Sequence, residues 1–233
     1  MMNEDDKMNS YAIYSDKIVL ENEVFDGYII VENEKILQIQ QEKPSPDFPI
    51  MDHSGLVVMA GLVDSHVHIN EPGRTEWEGF YTATQAALAG GITTVIDMPL
   101  NCDPVTTTKD ALDIKRASLG EQLHVDIGFW GGVIPSNVVV KNQDSNVKEE
   151  NLSDLSVLIE EGVLGCKAFM VHSGIDDFPE SDEKTLRKGM NILKSKGLPL
   201  LVHAELDCGA DIQCHDQTSY EYFLQSPAHG AQC

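Results

Sequence analysis

The sequence predicts an α/β fold in which a short β-rich segment precedes a series of strand–helix units. The first fifty residues contain short β-branched or alternating runs that are punctuated by Asn, Asp and Gly. From residue 56 the apolar runs no longer alternate, which is typical of strands buried on both faces of a parallel sheet. Helical patterns separate these runs at intervals of roughly 30–40 residues, as crossover connections require.

The β-rich segment is predicted to form a subdomain of its own. Its strands are expected at residues 11–14, 17–20, 24–31 and 35–40. Residues 43–49 contain three prolines and form a turn-rich break. We therefore assign residues 1–55 to a small N-terminal β subdomain and residues 56–233 to the strand–helix domain.

The strand–helix domain is predicted to contain about five units. Buried strands are expected at residues 56–63, 92–96, 124–129, 163–170 and 198–202. Helices are expected at residues 78–89, 109–117, 153–161 and 182–196, with Ser153 and Ser181 as N-caps. A doubly wound sheet and a (β/α) barrel both fit this alternation.

Charge and composition exclude several classes of partner. The 233 residues carry 16 Lys and Arg against 38 Asp and Glu, a formal net charge of −22. Nucleic acids and anionic membrane surfaces need basic patches, so neither is expected as a partner. Five cysteines without C-x-x-C spacing and no visible targeting segment favour a reducing compartment. We expect a cytoplasmic protein, with an organelle as the alternative.

The motif Asp64-Ser65-His66-Val67-His68 is the clearest candidate metal site. It closes the first apolar run of the strand–helix domain. Residues i and i+2 of a strand share a face, so His66 and His68 would project side by side. Active sites of barrel enzymes are built at the carboxyl ends of the strands, which favours metal binding over two polar residues that merely begin a loop.

Two further residues, Lys167 and His203, stand at the ends of later strands. A lysine inside a buried strand must be paired, neutralised or modified, unless it reaches solvent at the strand end. Reaction with carbon dioxide would convert it to an anionic carbamate. Taken alone, His203 is explained as well by a structural hydrogen bond as by metal binding. Three imidazoles with an oxygen anion suit zinc, and manganese, iron and cobalt are alternatives.

Two loops follow the first and second strands of the domain and point to the same face. Arg74 offers a fixed fork of donors for a carboxylate or a carbonyl, and Asn101 offers both a donor and an acceptor. The alternatives are a surface arginine in a tight turn and a turn-forming asparagine.

Together these segments resemble the cyclic amidohydrolases, the family of allantoinase, dihydropyrimidinase (hydantoinase) and dihydroorotase, with the allantoinases most similar. Residues 61–80, 89–101 and 165–170 carry the resemblance. It implies a (β/α)8 TIM-type barrel with a β-sandwich, of which this sequence holds the N-terminal part of the sandwich and about five barrel units. It further implies hydrolysis of allantoin to allantoate in purine catabolism, by complete relatives that are homotetramers.

The resemblance also implies a two-metal centre, with two zinc ions per subunit. His66 and His68 would hold the first ion, His203 the second, and the carbamate of Lys167 would bridge them. Arg74 and Asn101 fall where relatives contact substrate. The family also uses a histidine after the sixth strand and a general-base aspartate at the eighth. Neither is found within residues 1–233, so no catalytic residue is assigned.

We therefore expect a truncated allantoinase-type chain with little or no activity alone. Hydantoinase, dihydropyrimidinase or dihydroorotase activity is one alternative. A non-enzymatic dihydropyrimidinase-like protein, or a regulatory fragment that joins full-length subunits, is the other.

Overall fold

The computed structural model describes residues 10–121, 123–139, 153–205, 216 and 218–220. Contacts within the chain divide it into two compact units, Met1–Gly61 and Leu62–Cys233. The predicted boundary between residues 55 and 56 lies slightly before this division, and the extent of the two subdomains stays a prediction.

The first unit is a mixed five-stranded sheet. Its neighbouring strands follow the order β3-β2-β1-β4, and β5 pairs with β1. The strands predicted at 11–14 and 17–20 form one strand, whose register with its neighbour shifts between Ser15 and Ile18. Ile18, Ile29 and Val31 form its buried centre. The strands are β1 Ser10–Val19, β2 Val24–Glu32, β3 Lys35–Gln40, β4 Ile50–Asp52 and β5 Val57–Val58.

Among the described residues, the second unit has six parallel strands in two sheets, β6-β7-β8 and β9-β10-β11. Trp130 alone separates β8 from β9, so one stretch of chain pairs first with β7 and then with β10. The strands therefore follow one another in chain order, as in a (β/α) barrel, whereas a doubly wound sheet reverses its order. The strands are β6 Leu62–Val67, β7 Ile92–Asp97, β8 Asp126–Phe129, β9 Gly131–Gly132, β10 Cys166–Phe169 and β11 Leu200–His203.

The prediction of a single strand at residues 56–63 is wrong. Val57–Val58 belongs to the first sheet, and the strand that leads to the histidine pair begins only at Leu62. The apolar run crosses the division between the units, so composition could not locate the break. Leu62 and Val63 are exposed, 51% and 61%, because within the described part of the chain β6 pairs only with β7.

In the part of the second unit that the structure describes, four helices cover the strands, close to where the sequence predicted them. Thr108 and Ser153 cap the second and third helices by accepting from backbone N–H groups. Ser181 is not the cap of the fourth: Asp182 accepts from Thr185 N at 2.8 Å, and the Ser181 hydroxyl donates to Val133 O. The helices are α1 Phe80–Ala89, α2 Lys109–Ala117, α3 Asp154–Glu160 and α4 Glu183–Lys194.

The helices bury an apolar core against the parallel strands. Phe80, Leu112, Leu155 and Leu158 have no exposed surface, and Leu193 has almost none. Burial of such side chains contributes about 1.5–3 kcal/mol each. No helix in the ranges given above is both long and apolar enough to cross a membrane.

A buried ion pair lies between β7 and α2. Lys115 Nζ is 2.6 Å from Asp97 Oδ2, and neither side chain is exposed to solvent. Burial raises the pKa of Asp97 to about 6, while Lys115 acts in the opposite direction. The carboxyl group is therefore ionised at neutral pH.

The same two residues hold the loop that follows β6. Asp97 Oδ1 accepts from Ile69 N at 2.7 Å, and Lys115 Nζ donates to the carbonyl oxygens of Ile69 and Glu71, both at 3.0 Å. The Lys115 ammonium also lies 5.5 Å from the centre of the Phe80 ring. The pair thus fixes the chain immediately after the histidine motif.

We expect Asp97→Asn and Lys115→Met each to lower the free energy of unfolding by about 3–5 kcal/mol, because each leaves the other residue of the pair as an unpaired buried charge. The double variant should lose less than the sum of the two. Urea unfolding of the four proteins measures this.

Lys109→Met is the matched control on the same helix. Lys109 pairs with Asp113 at 2.7 Å and with Glu161 at 3.2 Å on the surface, where solvent screens the charges, so its loss should cost much less than that of Lys115. Additive effects of Asp97→Asn and Lys115→Met would contradict a direct interaction between the two charges.

Candidate metal centre

The two histidines of the sequence motif lie side by side at the end of β6. The ring centroids of His66 and His68 are 5.5 Å apart, with the rings tilted by 50°. Two imidazoles on one tetrahedral zinc ion, with Zn–N bonds of about 2.0–2.1 Å, have centroids about 5 Å apart. The spacing therefore suits two imidazoles that share one ion.

His68 is held in its neutral form. Part of its side chain stays accessible, but desolvation of the ring lowers its pKa. An interaction with the Leu100 backbone acts in the opposite direction, and the neighbouring His66, Lys167 and Lys115 lower the pKa further. A neutral imidazole keeps the lone pair that metal binding needs.

Lys167 is buried in the middle of β10. It is 6% exposed, and no acidic side chain in the described ranges forms an ion pair with it. Its ammonium lies 5.1 Å from the centre of the Phe169 ring. Burial lowers the pKa of the Lys167 amine. Lys167 thus does not snorkel to solvent, and its ammonium gives up its proton more readily than that of an exposed lysine.

His203 is the last residue of β11 and pairs with Phe169 in the register of the two strands. Its ring stacks on that of Phe169, with centroids 5.0 Å apart and planes 14° from parallel. His203 Nε2 lies 2.5 Å from Glu205 Oε1. Phe169 therefore contacts both Lys167 and His203.

His66, His68 and His203 stand at or just past the carboxyl ends of β6 and β11, and Lys167 stands within β10, but the three histidines do not converge on one point. In the portion of the chain whose placement is described, no group of three or more His, Cys, Asp or Glu side chains is close enough to hold a metal ion. The donor types fit a metal, and the His66–His68 pair has suitable spacing. Lys167 carries an amine, so it would need carbamylation to become an oxygen ligand.

Arg74 and Asn101 are brought together by contact between their loops. Arg74 Nη1 donates to the Asn101 carbonyl at 2.7 Å, and Asp103 N donates to Pro72 O at 2.9 Å. The Arg74 guanidinium also lies 5.3 Å from the Trp77 ring centre. Asn101 has a φ of +73°, which asparagine tolerates better than most residues.

Glu71 connects the first of these loops to a helix. Its Oε2 accepts from Phe80 N at 2.9 Å, where α1 begins and Gly79 supplies no side-chain cap. A carboxylate at a helix N-terminus is stabilised by the unsatisfied N–H groups and the helix dipole. Glu71 is therefore a capping residue in this structure.

Sequence reasoning did not find Asp97, Lys115, Phe169 or Glu205. A signal existed for Lys115, which stands three and four residues after Leu112 and Ala111 on the buried face of α2. Asp97 ends the strand β7, as His203 ends β11. Phe169 and Glu205 had no signal, because their contacts depend on the register of β10 and β11.

A cavity of about 310 Å³ lies between β6 and α1. His68 is the only one of the six predicted site residues in its wall, and three alanines of α1 line the other side. We do not place the substrate there, because Arg74 and Asn101 do not face it.

Comparison with known proteins assigns the family. The amidohydrolase family model matches residues 57–227, nearly three quarters of the chain. The chain belongs to the amidohydrolase family. Proteins of this family generally use a binuclear metal centre. The resemblance to cyclic amidohydrolases seen in the sequence motifs is thereby confirmed.

Among curated amidohydrolases, the allantoinase of Arabidopsis thaliana is 38% identical over 224 residues, which cover 93% of this chain and 42% of that protein. The allantoinase of Streptomyces avermitilis is 50% identical over 149 residues, 64% of this chain and 30% of that one. The L-hydantoinase (dihydropyrimidinase) of Arthrobacter aurescens superposes with a TM-score of 0.72 at 27% identity, covering 85% of this chain and 41% of its own. The chain thus spans about two fifths or less of the length of these relatives.

The contact between the two site loops of this amidohydrolase can be tested at Gly73. Gly73 has a φ of +91°, and a Cβ there would lie 2.6 Å from Asp103 Cβ. We expect Gly73→Ala to lower the free energy of unfolding by about 1–2 kcal/mol for the backbone conformation and about 1–3 kcal/mol more for the overlap. Urea unfolding measures the sum of these two losses in the free energy of unfolding.

Gly91→Ala separates the two contributions. Gly91 has a φ of +79°, but a Cβ at this position would have no neighbouring atom within 4 Å, so only the conformational cost should remain. Equal losses in the two variants would show that the contact between the loops is loose.

Proposed function

We propose that this chain carries the first part of the active site of an allantoinase, with His66 and His68 on one zinc ion, His203 on a second, and Lys167 between them. The observation that carries the proposal is the buried Lys167, which lacks an acidic partner among the described residues and lies near the neutral His68. The similarity to allantoinases supports the substrate class.

The proposed role of Lys167 begins with its neutral amine. The amine nitrogen attacks the carbon of carbon dioxide, and a C–N bond forms as one C=O π bond opens onto its oxygen. The nitrogen gives one proton to water, which yields an anionic carbamate. This step converts the neutral buried amine into an anion that metal ions bound there would balance. Manganese, cobalt and iron remain alternatives to zinc, because all accept imidazole and oxygen ligands.

Metal ions bound there would polarise the amide carbonyl and lower the pKa of a bound water. The protein's own part is to orient the cyclic amide. Arg74 uses one N–H on the Asn101 carbonyl, and its guanidinium has further donors for the carbonyl oxygens of the substrate. Asn101 would add its side-chain amide. Hydrolysis breaks the ring C–N bond, and allantoin would become allantoate.

We also propose an incomplete barrel of about five β/α units preceded by part of a β-sandwich, as the chain-ordered parallel strands support. These 233 residues alone should have little activity, because none of them is assigned to the role of the family's general-base aspartate. The cytoplasm is the proposed location. A relative from Aquarana catesbeiana is named a mitochondrial allantoinase, so an organelle stays the alternative. Assembly into homotetramers stays a prediction.

Metal binding and carbamylation are tested together. The chain is purified, supplied with zinc and 13C-bicarbonate, and examined by metal analysis and by 13C NMR for a carbamate signal. We expect bound zinc and a carbamate signal in the wild type, loss of the signal in Lys167→Ala, and loss of zinc in His68→Ala.

His53→Ala is the control, because His53 belongs to the first unit and to none of the contacts above. It should leave the zinc content unchanged. A wild-type chain without bound zinc would favour the non-enzymatic dihydropyrimidinase-like alternative instead.

Substrate choice is tested by assaying allantoin, hydantoin and dihydroorotate with the zinc-loaded chain beside full-length Streptomyces avermitilis allantoinase. We expect slow hydrolysis of allantoin, about 10²–10⁴-fold below the complete enzyme, since a missing general base costs about that much. Preference for hydantoin would favour the alternative suggested by the structural similarity to L-hydantoinase. A rate equal to that of the complete enzyme would contradict the expectation of low activity.

The regulatory alternative predicts a different result. Mixed with a full-length allantoinase, a fragment that joins its subunits would co-elute with it and change its rate. Separate elution would count against that alternative.

A further inference from the structure

The side chain of Glu205 lies directly against the outer nitrogen of His203. Nε2 of the ring is 2.5 Å from Glu205 Oε1, and the two side chains are 45% and 32% exposed. An ionised carboxylate can only accept a hydrogen bond, so Nε2 must carry the hydrogen. In the neutral ring this leaves the lone pair on Nδ1.

The plane of the His203 ring is fixed separately. The register of β10 and β11 places His203 opposite Phe169, and Met170 N donates to His203 O at 3.1 Å. The two rings then stack nearly in parallel, 14° apart. Backbone pairing and stacking together restrict how the imidazole can turn, while Glu205 determines which nitrogen is protonated.

The contact also permits a simpler interpretation, a surface ion pair between a protonated histidine and a glutamate. Such pairs contribute about 0–1 kcal/mol and have no consequence for metal binding. Three features favour a positioning role. Glu205 is partly buried, His203 ends a strand of the candidate centre, and its ring contacts Phe169, which in turn contacts Lys167.

We propose that Glu205 is a positioning residue that holds His203 with its proton on Nε2 and so presents Nδ1 to a divalent metal ion. The inference rests on the proposed function, in which His203 is a ligand. A carboxylate behind a ligating histidine fixes its tautomer and raises its basicity, and removal of such a partner reduces metal affinity about 10–100-fold.

Two measurements on the full 233-residue chain test the inference. Long-range 1H–15N NMR of the metal-free protein, at a pH above the ordinary imidazole pKa of about 6.5, reports which nitrogen of His203 is protonated. Zinc titration against a chromophoric chelator reports affinity. The variants are Glu205→Ala and the conservative Glu205→Gln, with Glu183→Ala as the control.

In the wild type we expect the Nε2–H tautomer. Glu205→Ala should admit the Nδ1–H tautomer and weaken the zinc site that contains His203 by about 10–100-fold. Glu205→Gln keeps an acceptor oxygen without the charge, so it should retain the tautomer and lose less affinity. Glu183 forms an exposed ion pair with Arg187, and its removal should change neither readout.

An Nδ1–H tautomer in the wild type would overturn the inference. So would an unchanged or increased zinc affinity in Glu205→Ala, since an increase would mean that Glu205 competes with the metal for Nε2. If the wild type bound no zinc but kept the Nε2–H tautomer in a Glu205-dependent way, the proposed metal function would fail while the control of the tautomer by Glu205 would stand.

Discussion

The buried pair of Asp97 and Lys115 is the interaction on which the rest of the site depends. Two opposite charges without solvent access must satisfy each other and their remaining hydrogen-bonding positions. They do so on the loop after β6, through the backbone of Ile69 and Glu71. Because Ile69 directly follows His68, the strand β7, the helix α2 and the end of the histidine motif become one rigid assembly. The conformation of that loop is thus set by electrostatics from inside the fold.

The same loop carries this constraint to the residues proposed to contact substrate. Glu71 caps α1 with its side chain, and Arg74 reaches across to the Asn101 carbonyl. Each of these contacts joins the segment after β6 to a different element. A substrate-binding guanidinium needs such anchoring, because a long free side chain would lose conformational entropy on binding. The ion pair and the arginine are therefore linked through the backbone of one loop, which hydrogen bonds hold at several points.

The sequence predicted the elements of the second unit well where local signals were strong. α3 was found because Ser153 caps an amphipathic run, and the parallel strands because their apolar runs lack alternation. The first of these strands was misplaced because its apolar run crosses the division between two units. The sequence predicts Ser181 as the cap of α4, but Asp182 beside it is an equally good capping residue and accepts from Thr185 N, while the Ser181 hydroxyl donates to Val133 O. The contacts of Phe169 and Glu205 with His203 depend on the register of the strands, and no sequence pattern predicts them.

The two parts of the candidate centre, the His66–His68 pair and the Lys167–His203 pair, are therefore brought together in different ways. His66 and His68 are adjacent because a strand places every second residue on one face, which the sequence alone can express. Lys167 and His203 are related only through the pairing of β10 with β11 and through the Phe169 ring, which lies near both. The first half of the centre is thus local and the second half depends on tertiary structure. A change in the packing of β10 on β11 would disturb the second half while leaving the histidine pair in place.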